Sequence, residues 1–206
     1  MPDGSEETAY IVDDEPPVRA SLGLLLRGEG FSTREFETGD EFLEAADAGL
    51  GFGCVLLDMR MPGRDGLTVQ REMRARRLRL PVVMITAHGD VPLAVSAMKE
   101  GVCDFVEKPY TGDVILRAAR AALSQGAEDC ARAMEAEAAA QRLAALSPRE
   151  LDVLRGLLAG LSNKVVAFDL GISPRTVEVH RANVMTKLGT RSLSGAVRIA
   201  LAGGLV

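Results

Sequence analysis

Five polar residues in the first half of the chain could do chemistry together: Asp13, Asp14, Asp58, Thr86 and Lys108. Each ends or directly follows a short apolar run. Asp58 closes Cys54-Val55-Leu56-Leu57, and Pro62, Gly63 and Gly66 mark a loop just after it. Taken singly, each residue reads equally well as a helix cap or a surface charge. Taken together they suggest a nucleophile and its supports. Three carboxylates in one cleft repel one another unless a cation joins them, and Mg²⁺ suits carboxylates, waters and phosphate oxygens. Lys108 adds a point charge for a phosphoryl group and Thr86 a hydroxyl donor. An aspartate, a metal and a lysine are the parts required for phosphoryl transfer to a carboxylate.

Such a group needs elements that bring its members to one edge. Apolar runs at Ala9–Val12, Phe31–Phe36, Cys54–Asp58, Pro81–Ile85 and Cys103–Val106 read as five strands. Helical patterns separate them: from Pro16-Pro17 to Gly28, over about Gly39–Ala48, through Leu67, Val69 and Met73, and over Val91–Glu100. The third of these runs out in a basic stretch, Arg74–Arg79. Strands alternating with helices specify a doubly wound parallel sheet of the flavodoxin-like kind, whose crevice opens at the carboxyl ends of the strands. All five candidate residues fall at those ends.

Charge divides the chain. Residues 147–206 hold eight Lys+Arg against four Asp+Glu, a net of +4, whereas the remainder holds sixteen against twenty-five. An acidic domain joined to a mildly basic one is expected. No apolar run approaches the length of a membrane span and the acidic N-terminus lacks a signal-peptide core, so a cytoplasmic location away from membranes is expected. Cys54, Cys103 and Cys130 are odd in number and unclustered, which favours reduced thiols over a disulfide or metal site.

Asp13-Asp14, Asp58 with Met61-Pro62-Gly63 and Asp65-Gly66, Thr86-Ala87, and Lys108-Pro109 together resemble the receiver domain of bacterial two-component response regulators, over about residues 8–124. The resemblance implies that Asp58 accepts a phosphoryl group from a sensor histidine kinase. It implies Mg²⁺ held by Asp13 (mostly through water), Asp14, Asp58 and the backbone carbonyl of Arg60. It also implies a phosphate-binding and switch group of Thr86, Ala87, Phe105 and Lys108. Pro17, Val18 and Leu22 of the first helix would form the kinase-docking face. A haloacid-dehalogenase-like phosphatase also uses a strand-end aspartate but needs a second acid two residues on, where this chain has Arg60. Beyond its own phosphotransfer and dephosphorylation, no enzyme is expected.

The alanine-rich stretch from Gly112 to about Ala145 reads as helix. Val114, Ile115, Ala118 and Leu123 would pack on the sheet, and Met134, Ala138 and Leu143 would continue the stripe. Gly126 leaves open one helix or two, and a near-continuous one is preferred. The expected division is a receiver over 1–124, a helical linker over 125–145 and an all-helical domain over 146–206.

In that last domain Ser147-Pro148-Arg149-Glu150 has capping-box spacing ahead of Val153, Leu154 and Leu157. Ser162 opens a second helix, with Val165, Val166, Ala167, Phe168 and Leu170 as its apolar side. Gly171-Ile172-Ser173 turns into a third helix, Pro174–Leu188, and a fourth is expected over about Leu193–Ala202. Two short helices joined by a glycine turn are a helix-turn-helix, whose second helix enters the DNA major groove. Val177, Val184 and Leu188 would be that helix's buried side. Arg175, Thr176, Glu178, Val179, Arg181 and Ala182 are candidates to face DNA, with Lys164, Arg175, Arg181, Lys187 and Arg191 suited to phosphates.

Leu146-Ser147-Pro148-Arg149-Glu150, Gly160-Leu161-Ser162-Asn163-Lys164, Thr176-Val177, Val179-His180 and Lys187-Leu188-Gly189 resemble the LuxR-type DNA-binding domain. The order of the two domains is that of the NarL/FixJ family, with Thr86-Ala87-His88-Gly89-Asp90-Val91-Pro92 pointing to its FixJ branch. The family resemblance implies promoter DNA and RNA polymerase as partners. It also implies a homodimer formed on phosphorylation, through the Val91–Glu100 helix and the fifth strand. The competing expectation is a DNA-binding protein whose receiver is an unphosphorylated dimerisation module.

Overall fold

The computed structural model describes residues 7–87 and 96–205. They form two units, one ending at Cys130 and the other beginning at Ala131. The first is built on a five-stranded parallel sheet of order β2-β1-β3-β4-β5, with β1 at Thr8–Val12, β2 at Ser32–Phe36, β3 at Cys54–Asp58, β4 at Val82–Thr86 and β5 at Asp104–Glu107. Helices α1 (Pro16–Gly28), α2 (Gly39–Asp47) and α3 (Gly66–Ala75) cross between strands, and α4 (Gly112–Ala144) follows β5. Residues 96–99 are helical, while 91–95 of the expected helix lie outside the described residues.

Alternation along the strands fills both faces of the sheet. Ile11, Leu56, Val83 and Ile85 point to one face, where Leu22 and Leu26 of α1 and Ile115, Ala119 and Ala122 of α4 cover them. Tyr10, Val12, Val55, Leu57 and Met84 point to the other, against Phe42 and Leu43 of α2 and Val69 and Met73 of α3. Leu22 is therefore core, not docking surface; on that helix Pro17 is exposed and Val18 half-buried.

Local chemistry sets the helix starts. The Thr38 side chain accepts from Glu41 N–H to cap α2, and Asp65 accepts from Thr68 N–H at 2.7 Å to cap α3. Helix α4 runs unbroken for 33 residues. Its Gly126 is buried, and a Cβ there would meet the Pro81 ring at 2.7 Å, so the glycine serves close packing rather than a break. The stripe expected to continue through Met134 and Ala138 does not; both are exposed, and Ala139 is the buried residue.

The second unit comprises the end of α4 with α5 (Pro148–Leu158), α6 (Asn163–Leu170), α7 (Pro174–Leu188) and α8 (Leu193–Ala202). Ser147, Ser162, Ser173 and Ser192 cap the four helices through their hydroxyls. Val153, Leu157, Val166, Ala167 and Val177 form one small core, and Leu154, Val184, Leu188 and Ala196 another. The apolar side expected for α6 is narrower than the sequence suggested: Val166 and Ala167 are buried, but Phe168 is 87% exposed and Val165 is also exposed. Helix period explains this, since an eight-residue helix cannot turn five of its residues inward. The three cysteines are free thiols, with Cys54 buried and its pKa pushed up to about 12, mainly by that burial. Among the described residues no helix is long and apolar enough to cross a membrane.

Candidate functional site

The carboxyl ends of β1, β3, β4 and β5 meet at one edge of the sheet and carry the expected residues to it. Lys108 reaches back from the end of β5 and places Nζ 2.7 Å from Asp58 Oδ1 and 3.0 Å from Asp13 Oδ2, with Glu15 Oε1 at 3.9 Å. Its own N–H donates to the Thr86 carbonyl at 2.6 Å, which ties the lysine to the end of β4. Asp13, Asp58 and Thr86 are buried, and Asp14 is half-buried.

Backbone donors fix both carboxylates. The Arg60 N–H donates to Asp58 Oδ2 at 2.7 Å, and the Glu15 N–H donates to Asp13 Oδ1 at 2.9 Å. Arg19 of α1 donates to the Asp13 carbonyl at 2.7 Å, a support the sequence pattern did not flag. Gly66 closes the loop after Asp58: its N–H donates to the Met59 carbonyl, and a Cβ there would collide with the Asp58 carbonyl oxygen. Glycine is required for that approach.

Burial pushes the Asp58 carboxyl above the usual carboxylate range, and the neighbouring Asp13 adds to the shift, while Lys108 and the Arg60 N–H oppose it. Burial works against the Lys108 ammonium too. There the hydrogen bonds and charges of Asp58 and Asp13 prevail and raise its pKa, so it stays protonated. Tyr110 lies close enough to feel Lys108, Asp13 and Asp58, though burial is the main cause of its own raised pKa.

Among the described residues no three His, Cys, Asp or Glu side chains come together as a metal cage. Asp13 and Asp58, two buried aspartates at one edge of the sheet, would suit a hard ion that keeps most of its waters. Mg²⁺ is bound in that way, through one or two carboxylates plus substrate phosphates. The residues fit it. Phe105 is half-buried on β5, opposite Met84 of β4, and Ala87 is exposed just past β4.

The second unit presents a different kind of surface. The Gly171 turn, at φ +65°, joins α6 to α7, where a side chain would be strained. Val177, Val184 and Leu188 are buried on one side of α7, as the periodicity predicts. On the other, Arg175, Thr176, Glu178, Val179 and Ala182 are exposed and Arg181 is half-buried; Lys164 and Arg191 are exposed nearby in sequence. Thr176 is held by the cap, its Oγ1 lying 2.8 Å from Ser173 Oγ. Lys187, expected on a phosphate, is paired with the buried Glu150. His180 is half-buried, and its Nδ1 has no hydrogen-bond partner among the described residues.

Comparison with known proteins decides the family. Residues 9–120 match the response regulator receiver domain, and residues 144–200 match the bacterial regulatory proteins of the luxR family. The chain belongs to the LuxR-type response regulators. This regulator is 46% identical over 197 residues to the transcriptional regulatory protein FixJ of Bradyrhizobium diazoefficiens, covering 96% of both chains. It is 42% identical over 197 residues to the C4-dicarboxylate transport transcriptional regulatory protein DctR of Rhodobacter capsulatus, covering 93% of this chain and 98% of that one. Among solved structures, the response regulator StyR superposes with a TM-score of 0.81 at 39% identity, over 96% of this chain and 99% of that one. The regulator is thus a two-component transcriptional regulator and not a conventional enzyme.

Proposed function

We propose that this regulator is switched by phosphorylation of Asp58 and, once switched, binds promoter DNA as a dimer. The observation that carries the reading is the position of the Lys108 ammonium, shared between Asp58 and Asp13 at the carboxyl edge of the sheet. That arrangement stores a positive charge beside the place where a phosphoryl oxygen will arrive.

In the transfer, an Asp58 carboxylate oxygen attacks the phosphorus of a kinase phosphohistidine. The O–P bond forms as the P–N bond breaks, and the histidine leaves with its electron pair. Asp13, Asp14, Asp58 and the Arg60 carbonyl would hold Mg²⁺, which would supply neutralisation of phosphate charge. Lys108 then pairs with the new phosphoryl group, and the Thr86 hydroxyl supplies a further donor. Movement of those two residues shifts β4 and β5, carrying Phe105 with them, and favours a dimerising surface that includes β5.

On DNA, α7 enters the major groove with Glu178 and Val179 towards base edges and Arg175 towards phosphate. A net charge of only +4 over residues 147–206 gives a monomer few phosphate contacts, and a dimer on two half-sites doubles them.

The test compares the wild type with Asp58→Asn in Mg²⁺ and a small-molecule phosphodonor, reading mass in solution and duplex binding. A monomer that dimerises and binds more tightly only with Asp58 intact is expected. Equal behaviour of the two proteins would remove phosphorylation from the mechanism.

A further inference from the structure

We infer that the arginine-rich end of α3 and the loop after it form a second contact with the phosphate backbone of DNA, centred on Arg77 and Arg79. The inference rests on the DNA reading above. Five arginines fall between Arg71 and Arg79 in a unit that is otherwise acidic. The nearby carboxylates are already engaged: Glu100 pairs with Arg71 at 3.2 Å and Arg74 at 3.8 Å, and Asp47 and Glu72 pair with Arg76. Glu72 also pairs with Arg64. The guanidinium groups of Arg77 and Arg79 are exposed, with no hydrogen bond or ion pair among the described residues.

The backbone supplies an independent observation. Arg77 has φ +59°, the one non-glycine residue in the left-handed region among those described. It closes α3: its N–H donates to the Arg74 carbonyl, and the Leu78 N–H donates to the Met73 carbonyl at 2.9 Å. Glycine is the usual residue at such a helix end, because a Cβ crowds the following carbonyl. Here the strained position holds an arginine whose side chain gives the fold no ion pair. Strain kept at an exposed charge points to a role outside the fold.

A polyanion suits two uncompensated guanidinium groups, and DNA is the polyanion that the second unit is proposed to bind. The effector unit is covalently joined to the receiver, so DNA bound by the one is at high effective concentration for the other, and weak charge contacts then count. Residues 1–146 carry nine more acidic than basic side chains and are repelled by DNA on average. A local positive edge is where that unit can approach a duplex.

The experiment measures binding of the full chain to a 30-base-pair non-specific duplex by fluorescence anisotropy, at about 50 to 200 mM salt. Arg77→Gln/Arg79→Gln is compared with a charge-matched control, Arg34→Gln/Arg117→Gln. The patch variant is expected to lose about 2 from the slope of log K against log salt, at about 0.9 per phosphate contact, and about tenfold in affinity at the lowest salt. Its thermal midpoint and phosphotransfer rate stay unchanged, and the control keeps the wild-type slope. An unchanged slope in the patch variant, or an equal fall in the control, overturns the inference while leaving the DNA reading intact. Absence of binding by the wild type overturns both.

Discussion

Lys187 Nζ lies 2.7 Å from Glu150 Oε2, joining the last turn of α7 to the first turn of α5. Glu150 is buried, and the same oxygen accepts the Ser147 N–H at 2.7 Å, so one carboxylate completes a capping box and anchors α7. The Lys187 hydrogen bond, with the Ser147 N–H next, pulls the Glu150 pKa down to about 2.

Because that pKa is depressed, the pair stabilises the fold above the ordinary glutamate range, and the contribution is lost as pH falls towards about 2. Glu150→Gln is expected to destabilise the second unit by about 2 kcal/mol at pH 7. The cost should shrink on acidification, as followed by urea unfolding at pH 7 and pH 3. A cost independent of pH would show that packing, not charge, carries the residue.

Asp58 behaves in the opposite sense. Its raised pKa means the folded chain holds the proton more tightly than the unfolded chain. The stability it contributes is present below the ordinary aspartate range and is lost as pH rises through the folded pKa. Asp58→Asn is expected to unfold about 2–4 °C higher than wild type at pH 7, with the gap closing towards pH 4. Calorimetry at the two pH values reads this directly.

Gly66→Ala places a methyl against the Asp58 carbonyl, the Met84 sulfur and Met59 Cα. Backbone and a buried side chain cannot yield as a surface residue would, so a loss of about 1–3 kcal/mol is expected. The loop carrying the Arg60 N–H shifts with it, and the phosphotransfer rate should fall too. Wild-type rate and stability in this variant would mean that the loop has slack.

The exposed Phe168 separates surface from core within one small domain. Phe168→Ser is expected to change stability by less than about 0.5 kcal/mol. Leu154→Ala, at a fully buried position, should cost about 2–5 kcal/mol. Denaturant midpoints of the two variants test the assignment.

The sequence by itself determined the parallel sheet, the strand-end positions of Asp13, Asp58, Thr86 and Lys108, and the helix-turn-helix. These are local or periodic properties: apolar runs of strand length, serine caps, glycine turns and a 3.6-residue stripe. Tertiary structure decided which charges meet. That Lys108 sits between Asp58 and Asp13, 50 and 95 residues away, follows from the strand order and not from any spacing in the chain. The pairing of Lys187 with Glu150 is hidden for the same reason, since an exposed lysine on a recognition helix reads as a phosphate contact until its distant partner is in view. Phe168 is the converse case. Its side chain is apolar enough for a core, but α6 offers only one face to its neighbours, and geometry leaves the ring outside.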